Sequence, residues 1–204
     1  MNKEIFDYLD KLYPEAKCEL NYNKDYELLI ATVLSAQTTD KKVNKVTDVL
    51  FKKYPSIKDL SEASIEDIES IIREIGTFRR KSVYIHEITK RLYEDGYDYV
   101  PNDREYIENL PGVGHKTANV FLSNIYNEPS IAVDTHVSRV SKRLGIVSIK
   151  DDVIKIEKKL MKKVSKDRWS RTHHQLVLFG RYKCKAISPM CDDCEIKSFC
   201  KYKK

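Results

Sequence analysis

The stretch LPGVGHKTANV, residues 110–120, decides how this chain folds. Two of the six glycines, Gly112 and Gly114, lie in it, between segments whose apolar residues recur at helical spacing. Pro111 ends the first segment, because proline disfavours helical backbone in the residue before it. The glycines permit a tight turn that another molecule can approach closely. The stretch therefore predicts two helices joined by a glycine turn, the second beginning near His115.

Lys116 lies in the first turn of this second helix. The backbone N–H groups of a first turn lack partners within the helix, so they form a site for phosphate. A lysine beside such a site fits two roles, a phosphate contact or an amine nucleophile. A solvated surface side chain is the alternative, because the chain is rich in lysine. The turn alone leaves all three interpretations open.

Four of the five cysteines lie near the C-terminal end with the spacing C-x6-C-x2-C-x5-C: Cys184, Cys191, Cys194 and Cys200. The first residues, MNKE, are charged and lack the apolar segment of a secretory signal, so a disulfide framework is not expected. Reduced cysteines at this spacing favour an iron–sulfur cluster. Zinc is the main alternative, although its four-cysteine sites usually contain two C-x2-C pairs, and free or redox-active thiols are the third. The fifth cysteine, Cys18, is expected to be a small packing residue.

A third pattern, VDTHVSRV at residues 133–140, places Asp134 directly before a segment of helical periodicity. An aspartate in this position ordinarily caps the helix N-terminus. A cap also holds the carboxylate in a fixed direction. Asp134 is therefore both an expected N-cap and a candidate for chemistry.

Apolar residues recur at helical spacing in ten segments, and no segment shows the alternation of a strand. The sequence predicts an all-α fold of about ten helices. The segments are residues 5–13, 26–34, 43–51, 65–75, 83–92, 106–110, 117–125, 137–144, 153–161 and 175–179.

Composition adds weaker expectations. The chain has 204 residues, enough for one or two domains with a buried core, and a net charge of +6, which mildly favours an anionic partner. No apolar run reaches the length of a membrane span, and no targeting signal is visible. We therefore expect a cytoplasmic protein without a membrane partner, and, because no coiled-coil pattern is present, a monomer.

Together the three motifs resemble the endonuclease III family, the iron–sulfur DNA glycosylases and AP lyases of the helix-hairpin-helix superfamily. The likeness extends to ELLIATVLSAQTTD at residues 27–40, which is similar to the family's first core helices and DNA-probing loop. His173-His174 and Gly180-Arg181-Tyr182 are similar to its last long helix. Matches follow in order from about Glu27 to Cys200.

The resemblance implies two helical lobes with a DNA-binding cleft between them. Residues 18–128 would form a six-helix, barrel-like lobe that contains the hairpin. Residues 1–17 and 129–204 would form the cluster lobe, with a [4Fe-4S] cluster on the four cysteines. Damaged double-stranded DNA would be the partner, and the protein would associate with the nucleoid.

The resemblance also implies roles for individual residues. Lys116 would be the amine nucleophile, and Asp134 would stabilise positive charge on the sugar. Gln37 would fill the space left by a flipped base. Thr77 stands at a second such position, where the family usually has a larger apolar residue, so its neighbour Phe78 is a candidate as well. The remaining expected DNA contacts are Gly112, Val113, Gly114, His136, Arg139 and Lys185.

The implied activity is base excision repair: release of oxidised pyrimidines such as thymine glycol, then cleavage of the abasic site by β-elimination through a lysine Schiff base. Dihydrouracil, oxidised cytosines and plain abasic sites are further candidate lesions. The adenine glycosylase of the same superfamily is an alternative, although it typically has serine in place of Lys116 and an extra C-terminal domain. The mismatch thymine or uracil glycosylases also differ at that lysine, and a relative acting on oxidised guanine fits the cysteine pattern poorly. A non-catalytic DNA-binding module with a zinc tail would have no need for Lys116 and Asp134 together.

Overall fold

The computed structural model describes residues 2–202, with the side chain of Asn2 excepted, and these residues contain eleven α-helices, two short 3-10 helices and no strand. The prediction of an all-α fold is confirmed. The helices are α1 (Asn2–Leu12), α2 (Asp25–Leu34), α3 (Asp40–Lys53), α4 (Ile57–Glu62), α5 (Ile65–Ile72), α6 (Phe78–Glu94), α7 (Arg104–Glu108), α8 (His115–Ile125), α9 (Thr135–Arg143), α10 (Val153–Lys163) and α11 (Trp169–Tyr182), with 3-10 helices at Lys166–Arg168 and Lys197–Phe199. Within this part of the chain, no helix is both long and apolar enough to cross a membrane.

The chain divides into two compact units. The first, which we call the hairpin unit, comprises Glu19–Tyr126 and contains α2 to α8. The second, the cysteine unit, combines the chain up to Cys18 with the chain from Asn127 onward, and contains α1 and α9 to α11.

The apolar periodicity of the sequence does not predict two of the helical segments. Helix α4 has six residues, too few to show a helical repeat. It is fixed by Ser56, whose hydroxyl accepts a hydrogen bond from the Asp59 N–H at 3.1 Å. Helix α11 begins at Trp169 rather than near Gln175, because buried polar residues such as Thr172 and His173 interrupt its apolar pattern.

Helix α2 is the centre of the hairpin unit. Every residue from Tyr26 to Leu34 is buried, and α3, α6 and α8 pack around the helix. A helix that is buried on all sides lies in the interior of the bundle. The packing of α2 therefore fixes the position of its C-terminal end, where the 35–39 loop begins.

Helices α1 and α9 pack on α11 in the cysteine unit. Apolar residues such as Leu9, Val140 and Phe179 form the core between them. Cys184, Cys194 and Cys200 pack against this core and are partly buried. These contacts hold the cysteine segment against the helices of the unit.

His174 in α11 gives the unit a pH-dependent stability. Burial, assisted by the positive charge of Arg181, lowers the pKa of His174 from 6.5 to about 4. Below pH 6.5 the unfolded chain takes up a proton on this residue, while the folded chain does so only near pH 4, so stability falls as the pH falls through this window. The complete loss amounts to about 3 kcal/mol.

We expect urea unfolding at pH 7.0, 5.5 and 4.5 to show this decline in the wild-type protein and a flatter profile in H174Q. The difference between the two proteins removes contributions from other titrating groups. Parallel profiles for the two proteins would contradict the assignment to His174.

Candidate nucleic-acid interface and active site

The glycine turn between α7 and α8 uses its two glycines differently. Gly112 has φ of +73°, and a Cβ there would lie 2.4 Å from Cδ2 of Tyr84. Both its backbone and its surroundings therefore require glycine. Gly114 has ordinary extended backbone, and no atom lies within 4 Å of the position that its Cβ would take. Its missing side chain leaves the entrance of α8 open.

The N-terminus of α8 carries no side-chain cap, because Gly114 occupies the N-cap position. The neighbouring Val113 is buried, and its N–H donates to the Leu110 carbonyl at 3.1 Å, so this residue anchors the turn to the core. Gly112 and Gly114 are exposed. Exposed backbone at an uncapped helix N-terminus is suited to bind a phosphate group.

A chain of polar contacts fixes α7 against α8. The Arg104 guanidinium donates to Oδ1 of Asn119 at 2.9 Å, and the Asn119 amide lies 3.2 Å from Nε2 of His115. Nδ1 of His115 lies 3.4 Å from a carboxylate oxygen of Glu108. These contacts hold the first turn of α8, which carries Lys116, against α7.

Lys116 is the second residue of α8, and its side chain is exposed. Within residues 2–202 its amine makes no hydrogen bond or ion pair. A long cationic side chain without an internal partner, next to an open helix N-terminus, is available to a ligand.

Asp134 is the N-cap of α9, as the sequence predicts. Its Oδ1 accepts a hydrogen bond from the Val137 N–H at 2.7 Å. The residue is half-buried, and the cap commits only one of its two carboxylate oxygens. Asp134 belongs to the cysteine unit and Lys116 to the hairpin unit.

His136 and Arg139, the expected phosphate contacts on α9, are engaged inside the cysteine unit. The Arg139 guanidinium donates to the Gly180 carbonyl at 2.8 Å and to the Cys184 carbonyl at 3.2 Å, and lies 3.2 Å from Nδ1 of His136. Burial lowers the pKa of His136, which favours a neutral ring. Both residues are half-buried, so their contacts with DNA stay a prediction, and their visible role is to join α9 to α11.

Gly180 is required at this junction, a role that its place in the sequence did not indicate. A Cβ on Gly180 would lie 2.9 Å from the Cβ of His136. Contacts this close essentially do not occur between real side chains. The glycine permits α9 and α11 to approach each other.

Gln37 and Thr77 share an uncommon backbone conformation. Both are exposed, and both lie in the left-handed region, with φ of 57° and 56°. This conformation is rare outside glycine and strained for a β-branched residue such as threonine. A Cβ on Gly76 would lie 3.9 Å from the Gln37 carbonyl oxygen, so the two segments are neighbours. Phe78 is half-buried, and the Arg79 guanidinium lies over its ring, 5.1 Å from the ring centre. Of Thr77 and Phe78, Thr77 is therefore the exposed residue.

The four cysteines of the C-terminal segment line one cavity of about 490 Å³. All four are half-buried and free of disulfides. Among residues 2–202 no group of three or more His, Cys, Asp or Glu side chains is placed to hold a metal ion. Four sulfur donors around one cavity are a ligand set that suits either an iron–sulfur cluster or a zinc ion.

Neighbouring sulfurs and burial act on the same thiols. Burial, together with the charges of Cys184 and Cys191, raises the pKa of Cys200, and burial together with the charges of Cys184 and Cys200 raises that of Cys194. Thiolates in such a site are stabilised by a cationic centre, which metal binding supplies.

Arg143 organises the loop after Cys184, and nothing in its sequence position pointed to this role. Its guanidinium donates to the carbonyls of Lys185 at 2.7 Å and Ala186 at 3.1 Å. It also stacks on Tyr202, 3.9 Å from the ring centre. The side chain of Lys185 is exposed beside this fixed backbone.

Comparison with known proteins places the chain among base excision repair proteins. Residues 30–166 match the family described as HhH-GPD superfamily base excision DNA repair protein. Endonuclease III of Bacillus subtilis (strain 168) is 48% identical over 202 residues, which cover 98% of this chain and 92% of that protein. Endonuclease III of Escherichia coli (strain K12) is 40% identical over 208 residues, which cover 100% of this chain and 98% of that protein.

Solved structures agree with the sequence matches. A trapped endonuclease III–DNA covalent intermediate, the estranged-adenine complex, superimposes with a TM-score of 0.93 at 46% identity, covering 98% of this chain and 96% of that chain. A non-covalent endonuclease III–DNA complex gives the same TM-score of 0.93 and 46% identity, covering 98% and 95%. A thermostable thymine-DNA glycosylase, with a TM-score of 0.85 at 22% identity over 98% of this chain and 95% of that chain, shares the fold.

Proposed function

Because the chain belongs to the endonuclease III family of DNA glycosylases and AP lyases, we propose that it releases oxidised pyrimidines such as thymine glycol from duplex DNA and cleaves the resulting abasic site through a Schiff base on Lys116. The observation that carries the proposal is the exposed Lys116 amine, which has no partner among residues 2–202, in the first turn of a helix without a side-chain cap. A similar endonuclease III forms a covalent intermediate with DNA, which supports covalent chemistry here.

The hairpin would hold the DNA backbone. Phosphate oxygens would accept hydrogen bonds from the N–H groups at the start of α8, beside the exposed glycines of the turn. Such contacts fix the register of the duplex without reading its sequence. They would bring the sugar next to the Lys116 amine.

Lys116 would act as the nucleophile. Its neutral amine attacks C1′ of the deoxyribose, the N-glycosidic bond breaks, and the base leaves with its bonding electron pair. The amine then loses a proton, the sugar ring opens, and a Schiff base forms. Loss of a C2′ proton expels the 3′ phosphate by β-elimination, and water hydrolyses the Schiff base to restore the amine.

Asp134 would stabilise the positive charge that develops on the sugar as the glycosidic bond breaks. Its Oδ1 is held by the Val137 N–H, so the carboxylate is oriented before DNA binds. A preoriented charge acts without reorganising in the transition state. The cap and the chemistry would thus be performed by one residue.

Gln37 and Thr77 would support base flipping. Extrusion of a nucleotide costs a few kcal/mol of unstacking, and a side chain that fills the gap offsets part of this cost. Gln37 would contact the orphaned base with its amide, and Thr77 would occupy the adjacent position. Both side chains project from exposed segments of the hairpin unit.

Cys184, Cys191, Cys194 and Cys200 would hold the [4Fe-4S] cluster of the family. The cluster would supply a structural cross-link for the segment after α11, which is too short and polar to fold unaided. Arg143 would then keep the backbone around Lys185 in place for contact with DNA phosphate.

Replacing Cys191 with serine should give a colourless protein with a lower melting temperature, because one of four ligands is lost. Absorption near 400 nm and thermal melting measure both effects. Cys18→Ser is the matched control, since Cys18 is half-buried but outside the cavity, and it should keep its colour. A coloured Cys191→Ser protein of wild-type stability would rule out ligation by Cys191.

Product analysis on three duplexes tests the proposed function. One carries a single thymine glycol, one a single abasic site, and one is undamaged. We expect free thymine glycol from the first, β-elimination ends from the first and second, and no reaction with the third. Cleavage of the abasic duplex alone would move the base specificity elsewhere, and binding without reaction on either damaged duplex would favour a non-catalytic module.

A further inference from the structure

Lys81 in α6 is a buried lysine without an acidic partner. Its side chain is 4% exposed, and within residues 2–202 no carboxylate pairs with it. Lysine is almost never fully buried without a compensating partner, because its charge loses its hydration. Burial accordingly lowers the pKa of the Lys81 amine. A lysine retained in such a place needs a reason beyond packing, since an apolar side chain fills the same volume without this penalty.

The Lys81 amine binds the end of α2. It donates to the Leu34 carbonyl at 2.9 Å and to the Ala36 carbonyl at 2.7 Å. Carbonyls at the last turn of a helix lack partners within the helix, and the local dipole favours a positive charge. The amine therefore satisfies the carbonyl directly before Gln37.

The same lysine is also tied to Thr77. Helix α6 starts after Thr77, and the N–H groups of Arg80 and Lys81 both donate to the Thr77 carbonyl at 3.1 Å. Lys81 thus lies one helical turn from one left-handed residue and holds the backbone next to the other. Residues in sparsely populated conformations persist only where the surrounding structure fixes them.

We propose that Lys81 is a positioning residue that joins the 35–39 loop to the start of α6, so that Gln37 and Thr77 enter the DNA as one rigid element. The proposal rests on the proposed role of these two residues in filling the space of the flipped base. Without the Lys81 amine, the Ala36 carbonyl keeps only the longer hydrogen bond from the Thr38 hydroxyl, at 3.4 Å within the same loop, and the side-chain link between the loop and α6 is lost. Gln37 and Thr77 should then fill the space of the flipped base less completely. The Lys116 amine on α8 should be unaffected.

An unreactive duplex separates this role from chemistry. The duplex carries a tetrahydrofuran abasic analogue opposite 2-aminopurine, whose fluorescence reports the stacking of the orphaned base. Wild-type protein at saturation should raise the fluorescence. K81M keeps the length of the side chain but removes its donors, and it should lose most of this rise at saturation. K81R retains donors and should recover part of it.

K90M is the matched control, because Lys90 lies on the same helix with an exposed side chain, 3.9 Å from Glu94. It should behave as the wild type does. A K81M fluorescence rise equal to that of the wild type would overturn the proposal. If K81M does not fold, as judged by thermal melting, K81Q takes its place and the same outcomes apply.

Activity provides the second readout. For K81M we expect base release from the thymine glycol duplex to fall roughly tenfold, the effect of losing hydrogen bonds from a charged group. Cleavage of a single-stranded abasic oligonucleotide, which has no orphaned base, should stay within about twofold. Equal losses on both substrates would indicate a general structural defect and contradict the proposal. Failure of the wild type to release thymine glycol would count against the proposed function only, since the fluorescence arm requires no reaction.

Discussion

Lys116→Gln is expected to abolish both base release and strand cleavage, because the substituted side chain has no nucleophilic amine. In the proposed mechanism both steps pass through the same covalent adduct, so a single substitution should remove both. Binding of a damaged duplex should fall only a few-fold, as expected for one lost contact with phosphate. Base release, nicking and equilibrium binding at one fixed salt concentration measure the three effects.

Lys116→Arg separates the two chemical interpretations of this residue. Arginine keeps the positive charge and binds phosphate, but its guanidinium is not deprotonated and cannot attack the sugar. A nucleophilic Lys116 predicts that the arginine variant is as inactive as the glutamine variant while binding DNA as the wild type does. An arginine variant with substantial activity would show that Lys116 serves as a phosphate contact.

Asp134→Asn should reduce turnover by roughly 100- to 1,000-fold, the usual effect of removing one preorganised electrostatic contact from an active site. Asparagine caps helices as well as aspartate does, so the hydrogen bond to the Val137 N–H is retained. The melting temperature and the affinity for DNA should therefore remain close to those of the wild type. Single-turnover base release and thermal melting provide the comparison.

Asp134→Ala completes this test. Alanine loses the cap as well as the charge, so it should be destabilised by about 1 kcal/mol relative to the asparagine variant while showing a similar loss of turnover. If Asp134→Asn instead turns over normally and only the alanine variant is impaired, Asp134 is a cap and nothing more.

The parts of the site that the sequence predicts depend on local chemistry. Helix α8 begins at His115, as the glycine turn requires, and Asp134 caps α9 as its position before the helix predicts. Capping and turn formation involve residues within four positions of each other, so a short stretch of sequence is enough to predict them.

The parts that the sequence does not predict depend on contacts between distant segments. Arg143 binds carbonyls more than forty positions away, at Lys185 and Ala186, and no local pattern anticipates this. The sequence also does not predict the left-handed backbone at Gln37 and Thr77, because neither residue favours that conformation.

Lys81 is an intermediate case, because its spacing from apolar residues in the sequence indicates that it lies on a buried helix face. It precedes Ile85, Ile88 and Leu92 at helical spacing, on the face of α6 that is buried. A lysine on an apolar stripe is commonly explained by a long side chain that reaches solvent. Only the distances to the Leu34 and Ala36 carbonyls show that this one does not.

Borohydride trapping followed by mass spectrometry of the cross-linked peptide tests whether Lys116 is the covalent catalyst. Wild-type protein is reduced in the presence of the thymine glycol duplex, the abasic duplex and the undamaged duplex, then digested. We predict a trapped complex with both damaged duplexes, with the sugar adduct on Lys116. An adduct on another amine, or the absence of any trapped complex under conditions that release the base, would contradict the account.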